Sequence, residues 1–217
     1  MSNRRQQPEN KTKGGDLFII AAPSGGGKTS LVSALLENDP RLVLSISHTT
    51  RQPRPAEQDG KHYHFISKNE FEQMIQRHDF MEYARVFDHY YGSSKAAVAK
   101  NLAGGRDVIL EIDWQGARQV RAVFPDSCAI YILPPSLEAL GKRLTGRGQD
   151  SDDVIQRRMR DAQTEISHWA EFDQLVVNDR FDTALEELAA IINDHRIQKP
   201  HKINKHAQHL AQQLGSG

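Results

Sequence analysis

The sequence predicts an α/β fold in which helices flank a mostly parallel sheet. Three observations carry this expectation. Short runs of branched apolar residues recur, amphipathic stretches of helical period separate them, and a glycine-rich loop joins the first run to the first such stretch. Leu17 to Ala21 reads Leu-Phe-Ile-Ile-Ala, apolar at every position, which marks a strand buried on both faces. Leu31, Val32, Leu35 and Leu36 then gather on one side of a helix. Val108 to Ile112, Ala129 to Leu133 and Leu175 to Val177 supply three more short strands. Leu137, Leu140 and Leu144 form another helical stripe. Leu185, Leu188 and Ile192 form the last, with Asp182 as its expected N-cap. Between Ser47 and Lys95 the alternation breaks down, and Pro53, Pro55, Gly60 and Gly92 punctuate the chain. That stretch reads as an inserted subdomain able to move against the sheet.

Composition narrows the function. In 217 residues, 28 Lys+Arg balance 28 Asp+Glu, so no polycationic surface is available to wrap nucleic acid or coat an anionic membrane. No apolar run approaches the roughly 18 residues of a membrane span. Cys128 is the single cysteine, which removes internal disulfides and clustered-thiol metal sites and suits a reducing cytoplasm. No apolar segment precedes Leu17, so no secretory signal is expected. Residues 1–15 read as a disordered basic tail. Residues 199–217, rich in Gln, His and Lys, read as a polar C-terminal tail in which Ile203, Leu210 and Leu214 mark a weak helix.

The loop after Ala21 carries the first chemistry. Ala22, Pro23, Ser24, Gly25, Gly26, Gly27, Lys28 and Thr29 lie between a strand and a helix, the P-loop context. Glycines let backbone amides converge on phosphate oxygens, and the helix N-terminus adds its positive dipole end. Lys28 is placed to reach the β and γ phosphates of ATP, and the Thr29 hydroxyl to ligate a magnesium ion (Mg2+). Ala22 stands where the general pattern has its first glycine, so that position must not need the left-handed region.

A second anion site follows. Pro53 and Pro55 forbid a helix across Arg51 and Arg54, so both guanidinium groups project from an extended loop. Two planar forks and the Tyr63 hydroxyl suit a phosphate monoester. Asp113 follows an apolar strand, the place where P-loop proteins keep an aspartate that orients a metal.

At this point the chain resembles the guanylate kinase family. The resemblance rests on Thr49-Thr-Arg-x-x-Arg-x-x-Glu-x-x-Gly-x-x-Tyr-x-Phe65, Phe80-Met-Glu82, Tyr90-Tyr-Gly-Ser93, Ile112-Asp-Trp-Gln-Gly116, Arg143-Leu-Thr-Gly-Arg147 and Val177-Asn-Asp179. It implies a P-loop nucleoside monophosphate kinase fold over residues 16–198, with a GMP-binding insert at about 47–95 and an Arg-rich lid at about 143–160. Carried over, it implies that Arg51, Arg54, Tyr63 and Tyr91 hold the GMP phosphate. Ser47, Glu82 and Asp113 would read guanine, with Gly92 and Ser93 beside them. Carboxylates accept from the guanine N1–H and exocyclic amine, while O6 needs a donor such as a serine hydroxyl. Arg143, Arg147 and Arg158 resemble lid arginines that close over the transferring phosphate, and Asn178 resembles a residue near the adenine. Position 111 is commonly Asp in that family and is Glu here.

The implied activity is ATP-dependent phosphorylation of GMP, and of dGMP, within purine metabolism. Two rivals compete with it: an inactive guanylate-kinase-like binding module, and a P-loop kinase of another phosphomonoester. An intact Gly27-Lys28-Thr29 and the full arginine set oppose the first, and Glu82 with the Ser47 to Tyr63 cradle opposes the second. The expected partners are ATP and GMP or dGMP, without nucleic acid or membrane, in a homo-oligomer of the kind bacterial relatives form.

Overall fold

The structure, a computed structural model, describes residues 14–86, 88–146 and 152–215. In chain order the elements begin with β1 (Leu17–Ala21), α1 (Lys28–Asn38), β2 (Leu42–Leu44), β3 (His48–Thr49) and β4 (His64–Phe65). Then come α2 (Lys68–Gln76), β5 (Phe80–Val86), β6 (His89–Ser94), α3 (Lys95–Ala103), β7 (Asp107–Glu111) and α4 (Trp114–Val123). The last are β8 (Cys128–Leu133), α5 (Leu137–Thr145), α6 (Asp152–Ser167), β9 (Gln174–Val177), α7 (Phe181–Arg196) and α8 (Lys205–Gly215).

The core is a parallel sheet of order β2-β7-β1-β8-β9, with Leu17 opposite Val108 and Phe18 opposite Cys128. The predicted α/β class is the observed one. Because side chains alternate across a strand, the unbroken apolar runs feed two cores. Phe18 and Ile20 of β1 and Ile130 and Ile132 of β8 meet Leu31 and Leu35 of α1 and Leu188 and Ile192 of α7. On the opposite face Leu17 and Ile19 meet Val120 of α4, Ile166 of α6 and Ala207, Ala211 and Leu214 of α8. Cys128 is shut into the α1/α7 core, and burial pushes its thiol up to about 12.

A second sheet of order β4-β3-β6-β5 fills His48 to Ser94 and pairs β5 with β6 antiparallel. Strand alternation did not mark it, because β6 reads His-Tyr-Tyr-Gly-Ser-Ser and buries little aliphatic surface.

Three details depart from expectation. Arg180, with no side-chain cap bond, stands at the N-cap of α7; Asp182 lies in its first turn, where a carboxylate complements the helix dipole. Ile112 leaves the strand, because Asp113 is already the cap of α4. Residues 205–215, read as part of a polar tail, form α8 and bury Ala207, Ala211 and Leu214. Two alanines give too faint an apolar stripe to announce a docking face.

Candidate active site

The P-loop leaves the C-terminal end of β1 and Asp113 follows that of β7, where open α/β sheets place ligands. β1 delivers the P-loop. Gly25 and Gly27 take φ of 86° and 90°, and a Cβ on Gly27 would lie 2.2 Å from the Asn178 Nδ2. Among the described residues the only non-glycines of positive φ are His78, Asp88 and Gln198, so Ala22 keeps an ordinary backbone. The Gly26 N–H donates to the Pro23 carbonyl at 2.8 Å, closing the first turn.

The loop is gripped from outside. Asn178, expected beside the adenine, is buried against the loop, and its Nδ2 donates to the Gly26 carbonyl at 2.9 Å. Arg143 donates through Nη2 to the Asn178 carbonyl at 2.8 Å. Arg158 donates through Nε and Nη2 to the Ser24 hydroxyl at 3.2 and 2.7 Å. The Ser24 N–H donates to Glu165 Oε2 at 2.9 Å. So Arg143, Arg158 and Asn178 meet at the P-loop, while Arg147 lies outside the described residues.

At the start of α1, Lys28 Nζ donates to the Ile112 carbonyl at 3.1 Å and the Thr29 hydroxyl donates to Glu111 Oε1 at 2.5 Å. Two hard oxygens, a hydroxyl and a carboxylate, thus sit side by side where a divalent ion on a triphosphate would lie. Among the described residues no three His, Cys, Asp or Glu side chains form a metal cluster.

On the opposite wall, Arg51 lies in a bidentate pair with Glu57 at 2.9 and 2.8 Å, both side chains 15% exposed. Glu57 also accepts the Arg54 N–H at 2.7 Å and is reached because the Glu57 N–H bonds the Arg54 carbonyl in a turn. That pairing raises the Arg51 pKa and lowers the Glu57 pKa, and a hydrogen bond from Arg51 to Tyr91 adds to the first. The Arg54 side chain is exposed on the same turn. Burial pushes the Tyr63 hydroxyl up to about 12, and the charges of Glu111 and Glu57 and the Tyr91 hydroxyl reinforce it. Glu111 belongs to the P-loop wall and Glu57 to the opposite one, so the charges of both walls act on Tyr63.

Deeper on that wall, Glu82 is 3% exposed on β5. Desolvation pushes its carboxyl up to about 7 against the pull of Ser93 hydrogen bonds, and the Asp113 charge pushes in the same direction as burial. The Ser47 and Ser93 hydroxyls lie 3.4 Å apart. β3 pairs with β6 at Gly92, where a Cβ would meet Phe80 at 2.9 Å, so the strands close tightly around the serines. Asp113 caps α4 by accepting the Gly116 N–H at 2.8 Å, and a Cβ on Gly116 would lie 2.5 Å from Glu82 Oε2. That geometry puts Asp113 beside Glu82, while Glu111 partners Thr29.

Two residues escaped the sequence reading. Glu57 was visible in the motif without an assigned role, and its signal was its place six residues after Arg51 across a proline turn. Glu165 was not singled out; its signal was its place two helical turns after Arg158 on one helix face.

Comparison with known proteins identifies the family. The family model described as guanylate kinase matches residues 14–195. The guanylate kinase of Hydrogenovibrio crunogenus is 56% identical over 193 residues, 89% of this chain and 94% of that protein. That of Hahella chejuensis is 60% identical over 184 residues, 85% and 88% of the two chains. The crystal structure of guanylate kinase from Anaplasma phagocytophilum superposes with a TM-score of 0.72 at 29% identity, covering 88% of this chain and 89% of that one.

Proposed function

The chain belongs to the guanylate kinase family, and from that premise we propose how its residues divide the work of moving a phosphoryl group from ATP to GMP. The protein is an ATP-dependent guanylate kinase, yielding ADP and GDP for purine nucleotide metabolism. The observation that carries the assignment of sites is the buried Glu82 beside Ser47, Ser93 and Asp113, across Tyr63 from the Thr29–Glu111 pair. Carboxylates there suit the N–H donors of guanine, and the serine hydroxyls suit O6. Adenine presents the reverse pattern at two of these positions and is rejected. dGMP carries the same base edge and phosphate, and serves as an acceptor too.

The acceptor phosphate has a second pKa near 6, so at pH 7 it is largely dianionic and needs no general base. The difficulty is repulsion, since about four negative charges crowd one cleft. Lys28, Arg51, Arg54, Arg143, Arg147 and Arg158 answer it with six positive charges, which act most strongly once water is excluded. Arg51, Arg54, Tyr63 and Tyr91 seat the GMP phosphate, with Glu57 holding Arg51 flat. Ser24 to Thr29 cradle the ATP phosphates, and Asn178 and Arg143 hold that cradle in shape. The oxygen donors of Thr29 and Glu111 fit magnesium, Thr29 as ligand and Glu111 orienting it. Magnesium bound there with ATP neutralises charge on the β and γ phosphates.

A cytoplasmic place suits the lone, buried Cys128, and among the described residues no helix is long and apolar enough to cross a membrane. A homo-oligomer is the assembly that the family resemblance favours. The deciding experiment is a coupled ADP-release assay across GMP, dGMP, AMP, UMP and a sugar phosphate. Rapid turnover is expected with the guanine nucleotides alone; equal rates with AMP or the sugar phosphate overturn the reading.

A further inference from the structure

α6 reaches the P-loop at one position with two side chains. Arg158 donates to the Ser24 hydroxyl at 3.2 and 2.7 Å, and Glu165 accepts the Ser24 N–H at 2.9 Å. Seven residues apart, they stand about two turns from each other on the same face of the helix. Arg158 already has a part in the kinase reading, whereas Glu165 has none. Its placement is unfavourable in itself, since burial raises its pKa and only Lys28 and the Ser24 N–H counter that. A glutamate on a wet helix face would avoid that penalty.

The bond lands where the loop is softest. Ser24 precedes Gly25, Gly26 and Gly27, and glycines populate several backbone wells at little difference in energy. The Gly26 turn to Pro23 and the Asn178 bond to Gly26 fix the later half of the loop. The Pro23–Ser24 peptide plane at the entry to the loop is held at both ends, its carbonyl by the Gly26 N–H and its N–H by Glu165, which among the described residues is the one side chain bonded to that amide. We propose that Glu165 is a positioning residue for phosphoryl transfer, which fixes the first turn of the P-loop through the Ser24 N–H and so presets the loop amides for the ATP phosphates. This inference rests on the kinase reading of the site.

Three variants test it. Glu165→Gln keeps the acceptor oxygen at the same reach, Glu165→Leu removes it at similar volume, and Glu165→Asp withdraws it by one methylene. The wild-type enzyme is first assayed with ATP and GMP, and failure there sinks the kinase reading itself. Given turnover, KM for each nucleotide and calorimetric Kd for ATP and for GMP are measured for every variant, together with Tm. Leaving a shielded amide unpaired is expected to weaken ATP binding by about tenfold or more in Glu165→Leu, with GMP binding changed by less than about threefold. Glu165→Gln is expected to stay within about threefold of wild type for both nucleotides. Should Glu165→Leu fail to fold, Glu165→Asp carries the comparison, with ATP binding weakened by about threefold or more. The proposal is overturned by unchanged ATP binding in the variants lacking the acceptor, by equal weakening of ATP and GMP, or by a Gln variant as weak as the Leu variant.

Discussion

Arg51 shows how much of this site depends on the shape of a charge. Glu57 holds its guanidinium by both nitrogens, so the fork is spread before any phosphate arrives. A lysine brings the same charge on a flexible stem and cannot reproduce two parallel bonds. Arg51→Lys is therefore expected to raise the KM for GMP about tenfold or more while leaving the KM for ATP near its wild-type value, as read from ADP release. Glu82 adds a pH dependence. Its folded-state pKa is raised from 4.5 to about 7, so the folded chain holds the proton more tightly than the unfolded one. Its contribution to stability is complete below the unfolded pKa and is lost as pH rises through the folded one. Guanine recognition runs the opposite way, because the carboxylate must be ionised to accept from the base. GMP affinity is thus expected to rise by up to about tenfold per pH unit between about pH 6 and 7 and then level off, and Glu82→Gln should flatten that rise in a calorimetric titration. Lys28, Thr29, Arg51 and Glu82 were legible from the sequence because short motifs fix them. Glu165 was not, since its partner Ser24 lies 141 residues away and only the fold brings them together.

At the scale of elements, legibility followed burial. β1 and β8 lie in mid-sheet with both faces covered, so their composition alone marked them as strands. β5 and β6 carry tyrosines, serines and Glu82 in place of a run of branched apolar residues, so composition did not mark their hairpin. α8 was expected only as a weak helix on Leu210 and Leu214, because alanines at 207 and 211 let it lie close to its neighbours without a conspicuous apolar stripe. The helix packs on α6, where a Cβ on Gly215 would come within 3.2 Å of Ser167. α6 in turn carries Arg158 and Glu165. Ending the chain after Pro200 would expose the apolar surface that Ala207, Ala211 and Leu214 now cover. The truncated protein is expected to melt at least about 5 °C lower by calorimetry. The KM for ATP should rise with that loss, since the helix that grips Ser24 loses its backing.

The whole molecule is built on two sheets, a parallel one that carries the P-loop and a mixed one, antiparallel at β3–β6 and β5–β6 and parallel at β3–β4, that carries Glu82; in the proposed reading the first forms the triphosphate wall and the second the acceptor wall. Such a division lets one wall approach the other, and phosphoryl transfer gains from that because water left in the cleft would compete for the phosphoryl group. GMP with a non-hydrolysable ATP analogue is expected to reduce the radius of gyration measured by solution X-ray scattering; an unchanged radius with both nucleotides bound would count against closure. Fold class was readable from the chain, whereas the place where the insert comes to rest was not, because no local pattern encodes it. Cys128 adds a last property of the molecule as a whole. Its sulfur is buried at the start of β8 and burial holds it in the unreactive thiol form, so peroxide and alkylating reagents are expected to attack it slowly in the folded protein. A sulfonate or an adduct on that sulfur is therefore a durable mark that the start of β8 once loosened.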